Sequence, residues 1–164
     1  MSEYAKGVVI ALAPQDGESL WQPLPSTGYV INKINPYNSP YDGFSAGLQL
    51  LEPGAHIRRH GHERSHELLF CYGGSGYAEI EDKRYDVCAE TMIVIGRGLL
   101  HKVVNTGREP MRLLWLISPP GLEDWFRAIG RPRQAGEPQP APFERPANVA
   151  AIQAQQRFIR AEED

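Results

Sequence analysis

Between residues 41 and 118 no apolar stretch lasts long. Short runs at 44–51, 66–72, 77–81, 91–95, 101–105 and 111–117 alternate with breaks at Pro53-Gly54, Gly73-Gly74-Ser75-Gly76, Gly96-Arg97-Gly98 and Gly107. Runs this brief are too short for an ordinary helix of about three turns, whereas a strand needs only a handful of residues. Their spacing, near ten residues, predicts an antiparallel sandwich or barrel. A chain of 164 residues is long enough for one such domain with a real core and too short for two ordinary ones.

The flanks have a different texture. Across 1–40, Pro14, Pro23, Pro25, Pro36 and Pro40 are spaced so that no long helix can form, and an irregular N-terminal arm is expected. Beyond the barrel segment (41–118), residues 119–164 are expected to hold helices and a strap packed on the barrel. Leu122, Trp125, Phe126 and Ile129 fall on one face of a short helix, which Gly130 and Pro132 stop. Five prolines between 130 and 146 predict a stiff extended strap. A last amphipathic helix should follow, with Val149, Ile152 and Ile159 on one side.

Composition narrows the class of partner. Hydrophobic residues make up 41% and charged residues 23%, as in soluble globular proteins. The formal charge is -3, so no basic excess draws the chain to a phosphate backbone, and nucleic acid is not an expected partner. No apolar run approaches the ~20 residues of a bilayer helix. Ala11-Leu12-Ala13 mimics a signal-peptidase site, but the preceding apolar stretch is very short and Met1-Ser2-Glu3 is not basic, so no leader is expected. Two cysteines, Cys71 and Cys88, are too few for a disulfide framework and fit a reducing compartment, the cytoplasm.

Strand phase adds detail. Runs 66–72 and 111–117 are apolar on both faces, so something must cover the outside of the barrel. Either the end segments fold back over it or a second copy of the chain packs there as a homodimer. Cys71, in phase with Glu67, should point inward as core filling. Leu113 and Trp115 should line the interior as walls of an apolar cavity suited to a small organic ligand.

The chemistry concentrates in Gly54-Ala55-His56-Ile57-Arg58-Arg59-His60-Gly61-His62-Glu63-Arg64-Ser65-His66-Glu67. Alternate side chains of a strand share a face, so His60 and His62 can grip one ion. Glu67 returns after a tight turn, and His101 follows the Gly96-Arg97-Gly98 break. Three imidazoles and a carboxylate suit Fe(II), Mn, Ni, Cu or Zn, and suit Ca or Mg poorly. His56 and Arg58 share the phase of His60 but are read as rim residues; His66 is read as an outer-face residue.

The order Gly54, five residues, His60-x-His62, four residues, Glu67, six residues, Gly74 resembles the first motif of the cupin superfamily. The second motif places His101 and Asn105 correctly, with Glu90 and Gly96 where that family has Gly and Pro. The resemblance covers roughly 44–118. It implies an all-β fold, a double-stranded β-helix (jelly-roll-like) barrel, with His60, His62, Glu67 and His101 holding one divalent transition metal. Fe(II) is favoured, with Mn, Ni, Cu or Zn as alternatives.

Cupins with three His and one Glu include quercetinase-like dioxygenases, and the segment from Ser118 to Trp125 is similar to the ending of many quercetin-dioxygenase-like members. The resemblance therefore implies a mononuclear non-haem dioxygenase, with O₂ as co-substrate, cleaving a C–C bond or ring in a flavonol, diketone or hydroxylated aromatic. Glu67 would act as general base. Two rival readings are a non-redox isomerase, lyase or cyclase using the same metal, and a binding module without turnover.

Overall fold

The computed structural model describes residues 7–160. Its larger sheet holds β1 (Glu18–Gln22), β2 (Gly28–Ile34), β3 (Ser45–Leu51), β5 (His66–Gly73), β8 (Met92–Ile95), β10 (Met111–Ser118) and the short β11 (Arg131–Pro132). The smaller sheet holds β4 (His56–His62), β6 (Ser75–Ile80), β7 (Lys83–Cys88), β9 (His101–Asn105) and β12 (Phe158–Arg160). Both are antiparallel, with spatial orders β11-β1-β2-β3-β10-β5-β8 and β12-β4-β9-β6-β7. From β3 to β10 the chain passes repeatedly from one sheet to the other. This is the expected double-stranded β-helix.

The core lies between the sheets and follows from period-two alternation. Leu113, Trp115 and Ile117 of β10 are buried, while Leu114 and Leu116 between them are half-buried. Leu69, Cys71 and Ile95 from the same sheet meet Ala78, Val87 and Val103 from the smaller one. Cys71 is buried, as its phase predicts, and both cysteines are free thiols. Two tight contacts set the spacing. A Cβ on Gly47 would lie 2.5 Å from the Trp115 ring and 2.3 Å from the Ile31 carbonyl oxygen, so the indole rests on bare backbone. Gly74 turns with φ +76, and a Cβ there would meet Met111 Cα at 2.6 Å. Glu90, standing where the resembled motif has Gly, adopts φ 73, so the left-handed turn persists without the residue that adopts it at least cost.

Three expectations need correction. Residues 18–34 are not irregular, because β1 and β2 pair with one another and extend the larger sheet beyond β3. The prolines that exclude a helix sit before, between or after these strands, where no ladder N–H is required. The C-terminal helix stops earlier than its apolar spacing suggests. It is α2 (Val149–Gln155), and Ile159 lies instead on β12, paired with Gly61. Finally, Trp115 and Leu113 are packed core, and the walls of the main cavity come largely from elsewhere.

The first C-terminal helix, α1 (Leu122–Ile129), buries Leu122, Trp125, Phe126 and Ile129 as its periodicity predicts. The strap runs beside β1, where Phe143 accepts a hydrogen bond from Leu24 N at 2.9 Å and its ring lies under the Arg131 guanidinium. The outer face of the larger sheet keeps a continuous apolar surface. Leu48, Leu114, Phe70 and Met92 are neighbours across four strands, and Met92 and Val94 are 60% and 67% exposed. No helix among the described residues is long and apolar enough to cross a membrane.

Candidate metal centre

His60 and His62 come from β4, Glu67 from the start of β5 and His101 from the start of β9. The first pair and His101 lie in the smaller sheet, where His60 faces His101 across the ladder. Glu67 lies in the larger sheet, between Ile117 and Ile95. Both sheets therefore aim donors at one point between them. One donor atom from each of the four residues lies within 4.8 Å of all the others. Donors placed about 2.1 Å from one ion on perpendicular axes would sit about 3 Å apart. The observed separations from Glu67 Oε2, 2.9 Å to His101 Nε2 and 3.2 Å to His62 Nε2, match that spacing.

The rings are aimed by their other nitrogens. His60 Nδ1–H donates to the Arg58 carbonyl at 2.8 Å, and His101 Nδ1–H to the Leu99 carbonyl at 3.1 Å. This tautomer leaves Nε2 of each as a lone-pair donor turned inward. His101 Nε2 is buried and makes no properly directed hydrogen bond, despite its closeness to Glu67. Such an orphaned buried nitrogen is costly unless something binds it, and an ion at the centre of the cluster fits that role.

Electrostatics hold His60 and Glu67 in their ligating forms. Burial, reinforced by the neighbouring His101 and His62, holds His60 well below the ordinary imidazole range, so it is neutral. Burial alone would push the Glu67 carboxyl up, but the adjacent His101 and His62 imidazoles outweigh it and hold Glu67 well below its usual value. Burial also opposes a charged His101, yet the contact with Glu67 prevails and raises it. An ionised carboxylate beside neutral imidazole suits a borderline divalent cation.

All four residues expected from the sequence converge. The neighbouring positions behave differently, because β4 carries a bulge. His56 and Ile57 pair with Val104 and Val103, then the register shifts before His60 meets His101. The bulge breaks the simple alternation that put His56 and His60 in one phase. Ile57 faces inward with Val103, and both Arg58 and Arg59 reach the cavity wall. Arg58, read as a rim residue, thus lines the cavity, whereas His56 does not. His66 is exposed, as expected of an outer-face residue.

The cavity opens onto the cluster through His60, Glu67 and His101. Its apolar wall is built by Leu122, Trp125, Phe126 and Ile129 of α1 together with Val149 and Phe158. Sequence reasoning found the α1 face but assigned it to the outside of the barrel. Phe158 was not singled out, since a strand of three residues at 158–160 leaves no periodic signal.

Two facing antiparallel sheets that converge three imidazoles and one carboxylate on a single point define a β-barrel of the cupin type, able to hold a metal ion. Residues 47–117 match the Cupin_2 family, described as a cupin domain. A sugar phosphate isomerase from a cupin superfamily, of Silicibacter pomeroyi, is similar with a TM-score of 0.59 and 18% identity over 66% of this chain and 75% of that one. A predicted oxalate decarboxylase from Thermotoga maritima gives 0.57 and 19%, over 68% and 98% of the two chains. KdgF from Halomonas sp. gives 0.50 and 18%, over 56% and 77%. At such identities the likeness is one of fold. A comparison with curated proteins gave no match.

Proposed function

We propose that this protein is a metal-dependent cupin dioxygenase that cleaves a C–C bond or ring in a small oxygen-bearing molecule such as a flavonol, β-diketone or hydroxylated aromatic ketone. The observation that carries this reading is the cluster of His60, His62, Glu67 and His101, three of which (His60, Glu67 and His101) line an open, largely apolar cavity. A divalent transition metal held there, Fe(II) first and Mn, Ni, Cu or Zn next, would supply Lewis acidity and a meeting point for substrate oxygens and O₂.

The chain's own residues do the rest. The carbonyls of Arg58 and Leu99 fix the rings of His60 and His101, so the donors need little reorganisation when the ion binds. Glu67 is the acidic residue on the cavity wall. Being ionised, it can accept the proton of a substrate hydroxyl as the substrate anion forms. Trp125, Phe126 and Phe158 keep bulk water away from that anion.

A second reading is a non-redox isomerase, lyase or cyclase using the same donors. It draws support from two similar folds, a sugar phosphate isomerase and a predicted oxalate decarboxylase. One experiment separates the two readings. Elemental analysis of purified protein is joined to oxygen uptake across a panel of flavonols, β-diketones and hydroxylated aromatic ketones. Uptake matched to product supports the dioxygenase, and product formed equally well under argon favours the non-redox enzyme. His62→Ala and His101→Ala should each lower metal affinity by about tenfold or more. Full stoichiometry in either variant removes that residue from the site.

A further inference from the structure

The charge on the cavity wall is lopsided. Arg58, Arg59, Arg145 and Arg160 line it, and among the described residues the lone acidic group there is Glu67, within the metal cluster itself. Arg59 is turned to carboxylates, with Glu79 at 3.0 Å and Glu81 at 4.0 Å. Arg145 lies against the wall, its guanidinium carbon 5.5 Å from the Trp125 ring. Arg58 and Arg160 have no ion-pair partner among the described residues.

These two arginines flank one metal-ligand candidate. Arg58 precedes His60 across the β4 bulge, and Arg160 is the residue paired with His60 on β12. A bulge beside a site typically re-aims a side chain that regular pleating would send elsewhere. Two guanidiniums next to a cation-binding cluster that carries one carboxylate repel the cation they flank. An anion entering between them would relieve that repulsion. The wall opposite is apolar, formed by Leu122, Trp125, Phe126, Ile129 and Phe158.

We infer that the substrate is an amphipathic carboxylate. Its oxygen-bearing end meets the metal centre, its apolar body lies on the α1 and Phe158 wall, and its carboxylate is held at the mouth by Arg58 and Arg160. This inference rests on the reading of the four donors as a metal centre. It narrows the substrate from any oxygen-bearing molecule to one with an anionic group remote from the chelating oxygens. The planar fork of arginine fits a carboxylate through paired hydrogen bonds.

The test uses zinc-loaded full-length protein, so that no redox step intervenes, and two probes. One is 3-(3,4-dihydroxyphenyl)propanoate; the other is its methyl ester, which keeps the catechol and ring but loses the charge. Calorimetry should show the acid binding at least about tenfold more tightly than the ester, the scale of one charge-assisted hydrogen bond. Arg58→Gln and Arg160→Gln should each bring the acid towards the ester while leaving ester affinity and zinc content unchanged, and Arg58→Lys should retain part of the preference. Equal affinity of acid and ester for the zinc-loaded wild type overturns the inference while leaving the metal centre standing. So does an acid affinity that neither Gln variant alters. Wild-type protein that takes up no zinc sinks the metal-centre reading and this inference with it.

Discussion

Phe158 lies against His60, with ring centroids 5.5 Å apart and planes at 29°, and it meets Trp125 at 4.9 Å on its other side. It also packs edge-on against His62 at 4.8 Å. A strand near the end of the chain thus wedges an aromatic ring between two candidate ligands and the α1 wall. Phe158→Ala should destabilise the protein by about 1–3 kcal/mol, less than a fully buried Phe because the ring is half-buried. It should also speed metal loss to a chelator by freeing both imidazoles. Urea unfolding and chelator competition measure the two effects. An unchanged release rate would show that the ring does not brace the ligands.

Acid should act on the metal-free protein through two histidines of opposite sign, His60 and His101. Folding keeps this imidazole neutral well below its ordinary value, so below about pH 6.5 the unfolded chain binds a proton there that the folded chain refuses. The His60 contribution then falls with falling pH, by about 1.4 kcal/mol per pH unit at most. His101 works in the opposite sense. Its raised value adds stability that is fully present below about pH 6.5 and is lost as the pH climbs through the folded-state value. Glu67, held low, contributes stability that persists until the pH falls through its own depressed value. The two histidines oppose one another between about pH 7.5 and 5.5, so His60→Gln should raise the urea midpoint at 5.5 relative to 7.5 and His101→Gln should lower it. Variants that shift the profile in the same direction contradict this assignment.

Gly47→Ala should be costly despite adding one methyl group. The new Cβ would collide with the Trp115 ring and with the Ile31 carbonyl. Backbone cannot yield as a flexible side chain can, so a loss of about 1–3 kcal/mol is expected. Thermal unfolding of the variant, with near-ultraviolet circular dichroism reporting on Trp115, provides the check.

The apolar outer face of the larger sheet should be covered by a second copy of this chain. Its half-exposed Leu48, Leu68, Phe70, Leu114 and Leu116, with Met92 and Val94, offer a surface nearly without charge. The same surface on another copy matches it through a two-fold axis. Light scattering should report a dimer, and Phe70→Glu should shift it to monomer. A monomeric wild type at micromolar concentration would contradict this.

Much of this architecture was legible beforehand. The runs that contain Leu69, Val103 and Trp115 became β5, β9 and β10 because Gly-rich breaks and period-two burial are local properties. The donors were legible for the same reason, since His60 and His62 alternate on one strand and the motif spacing placed Glu67 and His101. What stayed hidden depends on non-local pairing. Strands β1 and β2 were masked by prolines that break helices without breaking edge strands. The bulge at Arg58 and Arg59 leaves no mark in composition, so Arg58 was read as a rim residue although it lines the cavity. Ile159 fits a helical spacing, yet it pairs with Gly61 on a strand.

The donors sit on strands of the barrel, whereas much of the wall facing them is supplied by residues 122–160. Two separately variable parts of one chain therefore govern reactivity and selectivity. Replacements along the tail can reshape which molecules are admitted while the ion-holding strands keep their register, so a family of such chains could diversify its chemistry from one unaltered reactor.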